Sequence, residues 1–399
     1  MIWKTNLDSA DQIIRYYSKR HTLESYYSEN QEFNGYWGGK AAKMLGLEGY
    51  ITDAALGRLA HNLHPVTGEQ LTERMRSDRR PGFDITFDVP KSVSLAYAYS
   101  KDERIIKAVR QAAQEIIEWM ERDAAARVRK GLGKDADGDR TTGNFCVAEF
   151  IHLTARPENG YSDPHLHIHM VIFNVTFDPV EKKWKALQMG NIHNEIQCYQ
   201  EAYHMKLREN LRALGLGIVP TEINFEIEGI PKELNDIFSR RTQKIEETAE
   251  RLGITDPAQK AKLGAMTRDK KDKAVLITDL DPFWWGSLSP EHREALEGIA
   301  ALLKRSRAQE LSSQVVLEPV ASAKIGKTSE ALGLGQAIKS VYPLRRESMN
   351  QRTRPGPSVE SNDTPTAHDH QAVALAVKHV FERQSAITEK GLMAEAFRN

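Results

Sequence analysis

The segment "DPHLHIHMVIFN" (residues 163–174) constrains the fold of this 399-residue chain more than any other part of the sequence. Alternate residues of a β-strand point to the same face of a sheet. A strand here presents three histidines on one face and a continuous apolar set on the other, namely His165, His167 and His169 against Leu166, Ile168, Met170 and Ile172. The apolar face predicts a strand of the hydrophobic core, and the histidines then point together into a cleft.

The spacing of these histidines suits a metal ion. Residues two apart on a strand lie about 6.6–6.8 Å apart, so two imidazoles on one face can bind one ion at ordinary ligand distances. A third ligand then comes from a neighbouring strand, and His152, which ends "CVAEFIH", is the obvious supplier. His165 is the alternative third ligand, although three successive ligands on one strand fit a single ion poorly. The alternative to a metal site is a set of ordinary surface histidines.

An all-histidine site would leave the ion its full positive charge and open coordination positions. Such an ion suits binding of a phosphate oxygen as well as activation of water. The histidines alone therefore leave two reactions open, hydrolysis by water and phosphoryl transfer to a side-chain nucleophile.

Four of the twelve tyrosines lie within residues 16–27, as the doublets Tyr16–Tyr17 and Tyr26–Tyr27. The simpler interpretation is that one tyrosine of each doublet packs and the other is partly exposed. The functional interpretation is that some are nucleophiles. Phenol has a pKa of about 10 and leaves far more readily than an alkoxide, so a tyrosyl phosphodiester stays reactive enough to be reversed.

Composition narrows the class of protein. Lys and Arg together number 55, as do Asp and Glu, so a nucleic-acid partner would have to bind local basic surface. Cys146 and Cys198 are the only cysteines and form no CxxC pair, which argues against a disulfide framework or a thiolate zinc site and fits a reducing cytoplasm. The sequence shows no charged leader and no apolar run of about 18 residues, so we expect neither secretion nor membrane insertion.

Apolar periodicity and turn residues predict an α+β protein. Strands are predicted at 83–89, 144–152, 165–177 and 223–230, and helices at 39–61 with glycine breaks, after Pro90, and at 102–128, 194–213, 231–253 and 290–305. We expect a main domain over residues 1–305 and a partly disordered linker, rich in Pro, Ser and Thr, over 306–370. A helical segment follows at 371–399.

Seven motifs, in this order, resemble the relaxase domain of MobF-type conjugative relaxases (the TrwC/TraI group) of the HUH endonuclease superfamily. They are "RYYSKRHTLESYY", "YWGGKAAKMLGL", "HPVTGEQLTER", "GFDITFDVPKSVS", "EFIHLTAR", "DPHLHIH" and "IPKELNDIFSRRTQKIE". The resemblance covers roughly residues 5–300. It implies a central antiparallel sheet (the HUH relaxase palm) flanked by helices, with a mobile helical C-terminal segment that covers the DNA. Residues 371–399 look like the lead-in to a helicase domain that is absent here.

The resemblance implies a metal site with an acidic neighbour. His152, His167 and His169 match the ligands of one divalent ion, Mg²⁺ or Mn²⁺, with Zn²⁺ as the alternative. His165 is treated as a neighbour of the site. Asp84 matches the acidic residue that orients a ligand histidine or takes the proton of the attacking phenol.

The implied reaction is nicking and rejoining of single-stranded DNA at the transfer origin of a plasmid or mobile element. Tyr16 matches the principal nucleophile, which becomes joined to the 5′ phosphate, and Tyr26 matches the tyrosine of a second transfer. Tyr17 and Tyr27 are their substitutes. Residues proposed to contact DNA phosphates are Arg156, Arg79, Arg80, Arg240 and Arg241, for each of which solvated surface charge is the alternative.

The resemblance further implies partners and a compartment. The implied partners are the accessory proteins of a relaxosome and the coupling protein of a type IV secretion system. The implied compartment is the bacterial cytoplasm, from which the protein would be transferred to a recipient cell while covalently attached to the DNA. Two alternatives are a truncated, catalytically inactive relaxase that only binds DNA and a metallohydrolase that uses water.

Overall fold

A computed structural model describes most of the region predicted to be the main domain. The described residues are 1–17, 35–76, 78–129, 137–158, 160–222, 224–256, 259–260, 263–264, 277–286, 288–317, 393–394 and 397. Tyr26, Tyr27 and nearly all of the predicted linker and terminal segment lie outside them. No helix within the described part is both long enough and apolar enough to cross a membrane.

The strands and helices alternate irregularly along the chain. The strands are β1 (Ile2–Leu7), β2 (Tyr36–Gly38), β3 (Gly82–Asp88), β4 (Ala125–Arg129), β5 (Asp137–Thr141), β6 (Val147–Thr154), β7 (Pro164–Phe173), β8 (Thr176–Asp178), β9 (Lys183–Lys185), β10 (Leu187–Gln188), β11 (Ile218–Pro220) and β12 (Phe225–Ile227). The helices are α1 (Ala10–Tyr17), α2 (Lys40–Met44), α3 (Asp53–Ala60), α4 (Lys91–Ser100), α5 (Glu103–Arg122), α6 (Gly190–Asn194), α7 (Ile196–Ala213), α8 (Lys232–Ile237), α9 (Arg240–Arg251), α10 (Ile277–Gly286) and α11 (Pro290–Leu317).

A five-stranded sheet in the order β1-β3-β7-β6-β2 forms the centre of the molecule, and every neighbouring pair in it is antiparallel. Helices flank this sheet, so the prediction of an α+β protein with a central antiparallel sheet is confirmed. The long strand β7 lies in the middle, where both of its edges are paired.

Apolar clusters cover both faces of the sheet. One face of β7 buries Leu166, Ile168, Met170 and Ile172, each at most 1% exposed, in the same cluster as apolar residues of α4, α5 and α7. On the other face, Val171 and Phe173 pack in a second cluster with residues of α1, α2 and α3. The histidines share this second face but lie toward the opposite end of the strand.

Several element boundaries differ from those predicted. Helix α5 ends at Arg122 rather than at 128, because residues 125–129 pair with β5 and β10 as strand β4. The helix predicted at 231–253 is two helices that separate between Ile237 and Arg240. Helix α11 continues to Leu317, so the predicted end of the main domain at 305 lies inside a helix. The division into domain, linker and terminal segment stays a prediction.

Candidate metal centre and active site

Antiparallel pairing of β6 with β7 brings the three predicted ligands together. His152 lies directly opposite His167, and His169 is two residues further along β7 on the same face. The nitrogen atoms that these residues offer to an ion lie within 4.8 Å of one another. Their ring centroids are 4.8 to 5.2 Å apart, so the imidazoles form a compact triangle. This arrangement suits a single ion with three histidine ligands.

Hydrogen bonds orient two of these rings. His167 Nδ1 donates to the carbonyl oxygen of His165 at 2.9 Å, and His169 Nδ1 lies 2.8 Å from Asp84 Oδ2. Each ring thereby directs its Nε2 atom away from these partners. His169 Nε2 is buried and has no hydrogen-bond partner among the described residues, as an atom awaiting a metal ion would be. Burial lowers the pKa of His167 to about 3, so this imidazole is neutral at pH 7, the form that coordinates metal.

His165 belongs to a second group of possible ligand atoms, with Asp88 and His167, that also lie within 4.8 Å of one another. Its ring stacks on His167 with centroids 4.5 Å apart, and its Nε2 is 3.5 Å from Asp88 Oδ1. His167 has only one ring nitrogen left for a metal, since the other is bonded to a backbone carbonyl. The two groups are therefore alternatives for His167, and the assignment of His165 as a neighbour of the site stays a prediction.

Tyr17 points into the protein beside this centre. Its hydroxyl donates to Asp84 Oδ2 at 2.8 Å, and its ring stacks on Phe150 with centroids 4.6 Å apart. The side chain is only 4% exposed. Burial and the negative charge of Asp84 raise the pKa of the Tyr17 hydroxyl well above its usual value, so this phenol stays protonated.

Tyr16 is half-buried and lies over the histidines. Its ring centroid is 5.8 Å from that of His169 and 6.0 Å from that of His152. The guanidinium carbon of Arg156 is 5.9 Å from the same ring. Helix α1 thus directs one tyrosine of the first doublet into the core and the other over the histidines.

The other four predicted DNA-contacting arginines have partners within the protein. Arg79 donates to the carbonyl oxygen of Asn174 at 2.8 Å, and burial lowers its pKa to about 10. Arg80 lies 3.8 Å from Asp8. The remaining two form ion pairs, Arg240 with Asp163 and Arg241 with Glu158. Their contacts with DNA stay predictions.

Two polar residues that contact the histidine strand were not identified from the sequence. Thr86 Oγ1 lies 3.2 Å from His169 Nδ1. Because Thr86 is two positions from Asp84 in the predicted strand "FDITFD", strand alternation alone would have placed its side chain on the same face as that of Asp84. Ser94 Oγ accepts a hydrogen bond of 3.0 Å from the Leu166 amide at the start of the histidine strand. No sequence pattern announced that contact, because it joins residues 72 positions apart.

Comparisons with known proteins identify relatives of this chain among conjugation proteins. The multifunctional conjugation protein TraI of Escherichia coli K12 is 33% identical over 226 residues, and a second E. coli TraI is 34% identical over 227 residues. Each match covers 53% of this chain but only 12% of the length of the relative.

Solved structures of the conjugative relaxase TrwC are similar over a larger share. The metal-bound complex with oriT DNA has a TM-score of 0.60 at 26% identity and covers 76% of this chain and 98% of that one. A copper-bound complex has a TM-score of 0.62 at 28% identity, with 74% and 98% covered. The family model described as TrwC relaxase matches residues 10–288, a range that contains Tyr16, Asp84 and the three histidines. The chain therefore belongs to the TrwC relaxase family.

Proposed function

We propose that this chain nicks and rejoins single-stranded DNA at a transfer origin by tyrosine transesterification. The observation that carries the proposal is the convergence of His152, His167 and His169 beneath the ring of Tyr16, with Asp84 bonded to the last of these histidines. The TrwC structures in complex with oriT DNA support the same substrate class. Such a reaction belongs in the bacterial cytoplasm, where the donor DNA is processed.

The three imidazoles would hold one divalent ion. When bound, it would polarise a non-bridging oxygen of the scissile phosphate and offset the charge that develops there. Mg²⁺ and Mn²⁺ are our candidates, with Zn²⁺ as the alternative that imidazole ligands favour. Metal-bound forms of TrwC support the assignment of a divalent ion without identifying it.

Tyr16 is the residue that we assign as first nucleophile. A bond forms between its phenolic oxygen and phosphorus while the bond from phosphorus to the 3′ oxygen breaks. The phenol loses one proton and the departing 3′ oxygen gains one, so one phosphodiester is exchanged for another and the product is a 5′-phosphotyrosyl adduct. Attack by the freed 3′ hydroxyl, or a second transfer through Tyr26, rejoins the strand.

Tyr17 and Asp84 position the site in this proposal. The Asp84 carboxylate holds His169 in the orientation that directs Nε2 toward the ion, and it accepts the hydrogen bond of Tyr17. The buried Tyr17 ring in turn fixes the end of α1 and hence the backbone of Tyr16. A buried, protonated phenol is a poor nucleophile, which is why we assign Tyr17 to positioning.

Formation of a covalent adduct tests the proposal. The protein is incubated with Mg²⁺ or Mn²⁺ and labelled single-stranded oligonucleotides that carry the transfer origin of its own mobile element. We expect a protein–DNA band that resists denaturation, that disappears in Tyr16→Phe and that persists in Tyr17→Phe. Chelation of the ion before the DNA is added should prevent formation of the band by the wild-type protein.

The other outcomes separate the alternatives. Cleavage without an adduct would indicate hydrolysis by water, and binding without cleavage would indicate an inactive relaxase. Loss of the adduct in Tyr17→Phe with retention in Tyr16→Phe would reverse the assignment of the two tyrosines.

A further inference from the structure

A fixed aromatic stack lies at the surface beyond the histidine strand. The rings of Tyr161 and Phe283 stack nearly parallel, with centroids 4.0 Å apart and an interplanar angle of 8°. Both remain open to solvent, Tyr161 at 42% and Phe283 at 36% exposure. The guanidinium carbon of Arg240 lies 4.7 Å from the centroid of Phe283. Since the Tyr161 ring covers one face of Phe283, Arg240 covers the other.

The stack is anchored from several directions. Arg240 forms an ion pair with Asp163, a residue that is only 3% exposed, and its backbone amide donates to the same carboxylate at 2.9 Å. Trp284, next to Phe283, donates from Nε1 to the carbonyl oxygen of Ser162 at 2.8 Å. The layers Arg240, Phe283 and Tyr161 are therefore held in order, and the outer face of Tyr161 is the end of the stack.

This end lies on the hairpin that carries the candidate metal ligands. The β6–β7 connection begins after Thr154, passes Arg156, and returns through Tyr161 to β7, which carries His167. Tyr161 and Glu158 exchange backbone hydrogen bonds of 2.8 and 3.1 Å, which fixes the backbone of Tyr161 against that of Glu158. Tyr161 and His167 are six positions apart in sequence, so their Cα atoms lie at most about 22 Å apart. That upper limit corresponds to the length of a few nucleotides of single-stranded DNA.

The charges around the stack suit an anionic partner. Arg240, Arg241 and Lys244 face two carboxylates, those of Asp163 and Glu158. Cationic side chains therefore lie beside an exposed, preorganised ring. Exposed aromatic faces next to cationic side chains are the usual platforms for nucleobases, since every base has a π-face.

We propose that the outer face of Tyr161 stacks a base of the single-stranded DNA, a few nucleotides from the scissile phosphate. This inference rests on the proposed function, because it takes its ligand to be the DNA that enters the histidine cleft. Arg240 then serves the DNA indirectly, as a support for Phe283, rather than through the phosphate contact predicted from sequence. Asp163 is a positioning residue for the same stack.

Binding of the full chain to fluorescein-labelled dT12 tests the platform. We expect Tyr161→Leu, which keeps an apolar side chain but loses the ring, to weaken binding by about 5- to 100-fold, the range that corresponds to stacking of one base. Tyr161→Phe keeps the π-face and should bind within about twofold of wild type. In the wild-type protein, 5-iododeoxyuridine placed along the oligonucleotide should crosslink to Tyr161 at one preferred position.

Tyr50→Leu is the matched control. Tyr50 is 57% exposed and packs against Tyr36, which pairs with Glu149. The Glu149 carboxylate bonds to Arg110 of α5, so this tyrosine lies on the sheet face opposite the histidines. Its replacement should leave binding unchanged.

The outcomes distinguish this inference from the proposed function. Equal affinity of Tyr161→Leu and wild type, or crosslinks that avoid Tyr161, would overturn the platform even if Tyr16 forms the adduct. If the protein binds dT12 through Tyr161 as expected but forms no adduct, the stacking site would be supported and the nicking reaction would be contradicted.

Discussion

At the scale of single residues, Asp84 connects the core to the candidate metal centre. One carboxylate oxygen, Oδ2, lies within hydrogen-bonding distance of both the Tyr17 hydroxyl and His169 Nδ1, at 2.8 Å in each case. The aspartate itself is 7% exposed, so these partners replace the water that its charge would otherwise need. The orientation of a ligand histidine thus depends on a carboxylate whose position depends on a buried tyrosine.

Replacement of Asp84 by asparagine should weaken metal binding. An amide keeps the shape of the side chain but is a poorer acceptor for His169 Nδ1, and loss of such a support typically costs about 10- to 100-fold in metal affinity. Calorimetric titration of the apo-protein with Mn²⁺ or Zn²⁺ measures the effect without recourse to activity. Asp78→Asn, at an exposed site, is the control. Equal affinities of Asp84→Asn and wild type would contradict the supporting role.

At the scale of elements, β7 is held by its neighbours on both edges and by α4 at one end. The Leu166 amide donates to Ser94 of α4, and the nearby Ser92 accepts from the Ile227 amide of β12. Both serines are essentially inaccessible. The "PKSVS" segment therefore does more than begin a helix, because its hydroxyls satisfy backbone groups of two strands that the helix covers.

Ser94→Ala should destabilise the fold without changing any of the candidate metal ligands. The substitution leaves the buried Leu166 amide without its acceptor, which costs about 1–3 kcal/mol. Urea unfolding followed by circular dichroism measures the loss. Ser312→Ala, at an exposed position of α11, should change stability by no more than about 0.5 kcal/mol. A Ser94→Ala protein as stable as wild type would show that another group satisfies the amide.

At the scale of the whole molecule, the central sheet separates two apolar clusters, and the two buried cysteines lie on opposite sides of the sheet. Cys146 belongs to the second cluster, beside α1 to α3, and is fully buried. Cys198 lies in α7, which packs on the other face, and is 2% exposed. Burial raises the pKa of the Cys146 thiol far above its usual value, so neither charge nor access favours reaction.

Both thiols should react with a thiol reagent only after unfolding. We expect negligible labelling of the native protein by dithiobisnitrobenzoate, and two equivalents in concentrated guanidinium chloride, as the cysteine count requires. Labelling of Cys146 and Cys198 can be followed separately in the two Cys→Ala variants. Rapid reaction of either native thiol would indicate that the structure around it opens locally, at a free energy below that of global unfolding.

The sequence by itself determined the features that follow from local periodicity. Alternation along 164–173 predicted an apolar face and a histidine face, and the structure has both. Apolar steps also predicted α5 and its position, although not its end. The residues that follow Arg122 have good helix propensity, but pairing with β5 and β10 outweighs it.

Only the tertiary structure decided how the site is assembled. Tyr17 and Asp84 are 67 residues apart in sequence, and Arg240 and Asp163 are 77 apart. No local pattern records that the second tyrosine of a doublet turns inward, or that an arginine supports an aromatic ring. Those contacts arise where separate elements pack together. The sequence therefore identified which types of residue were present, and the fold decided which of them contact one another.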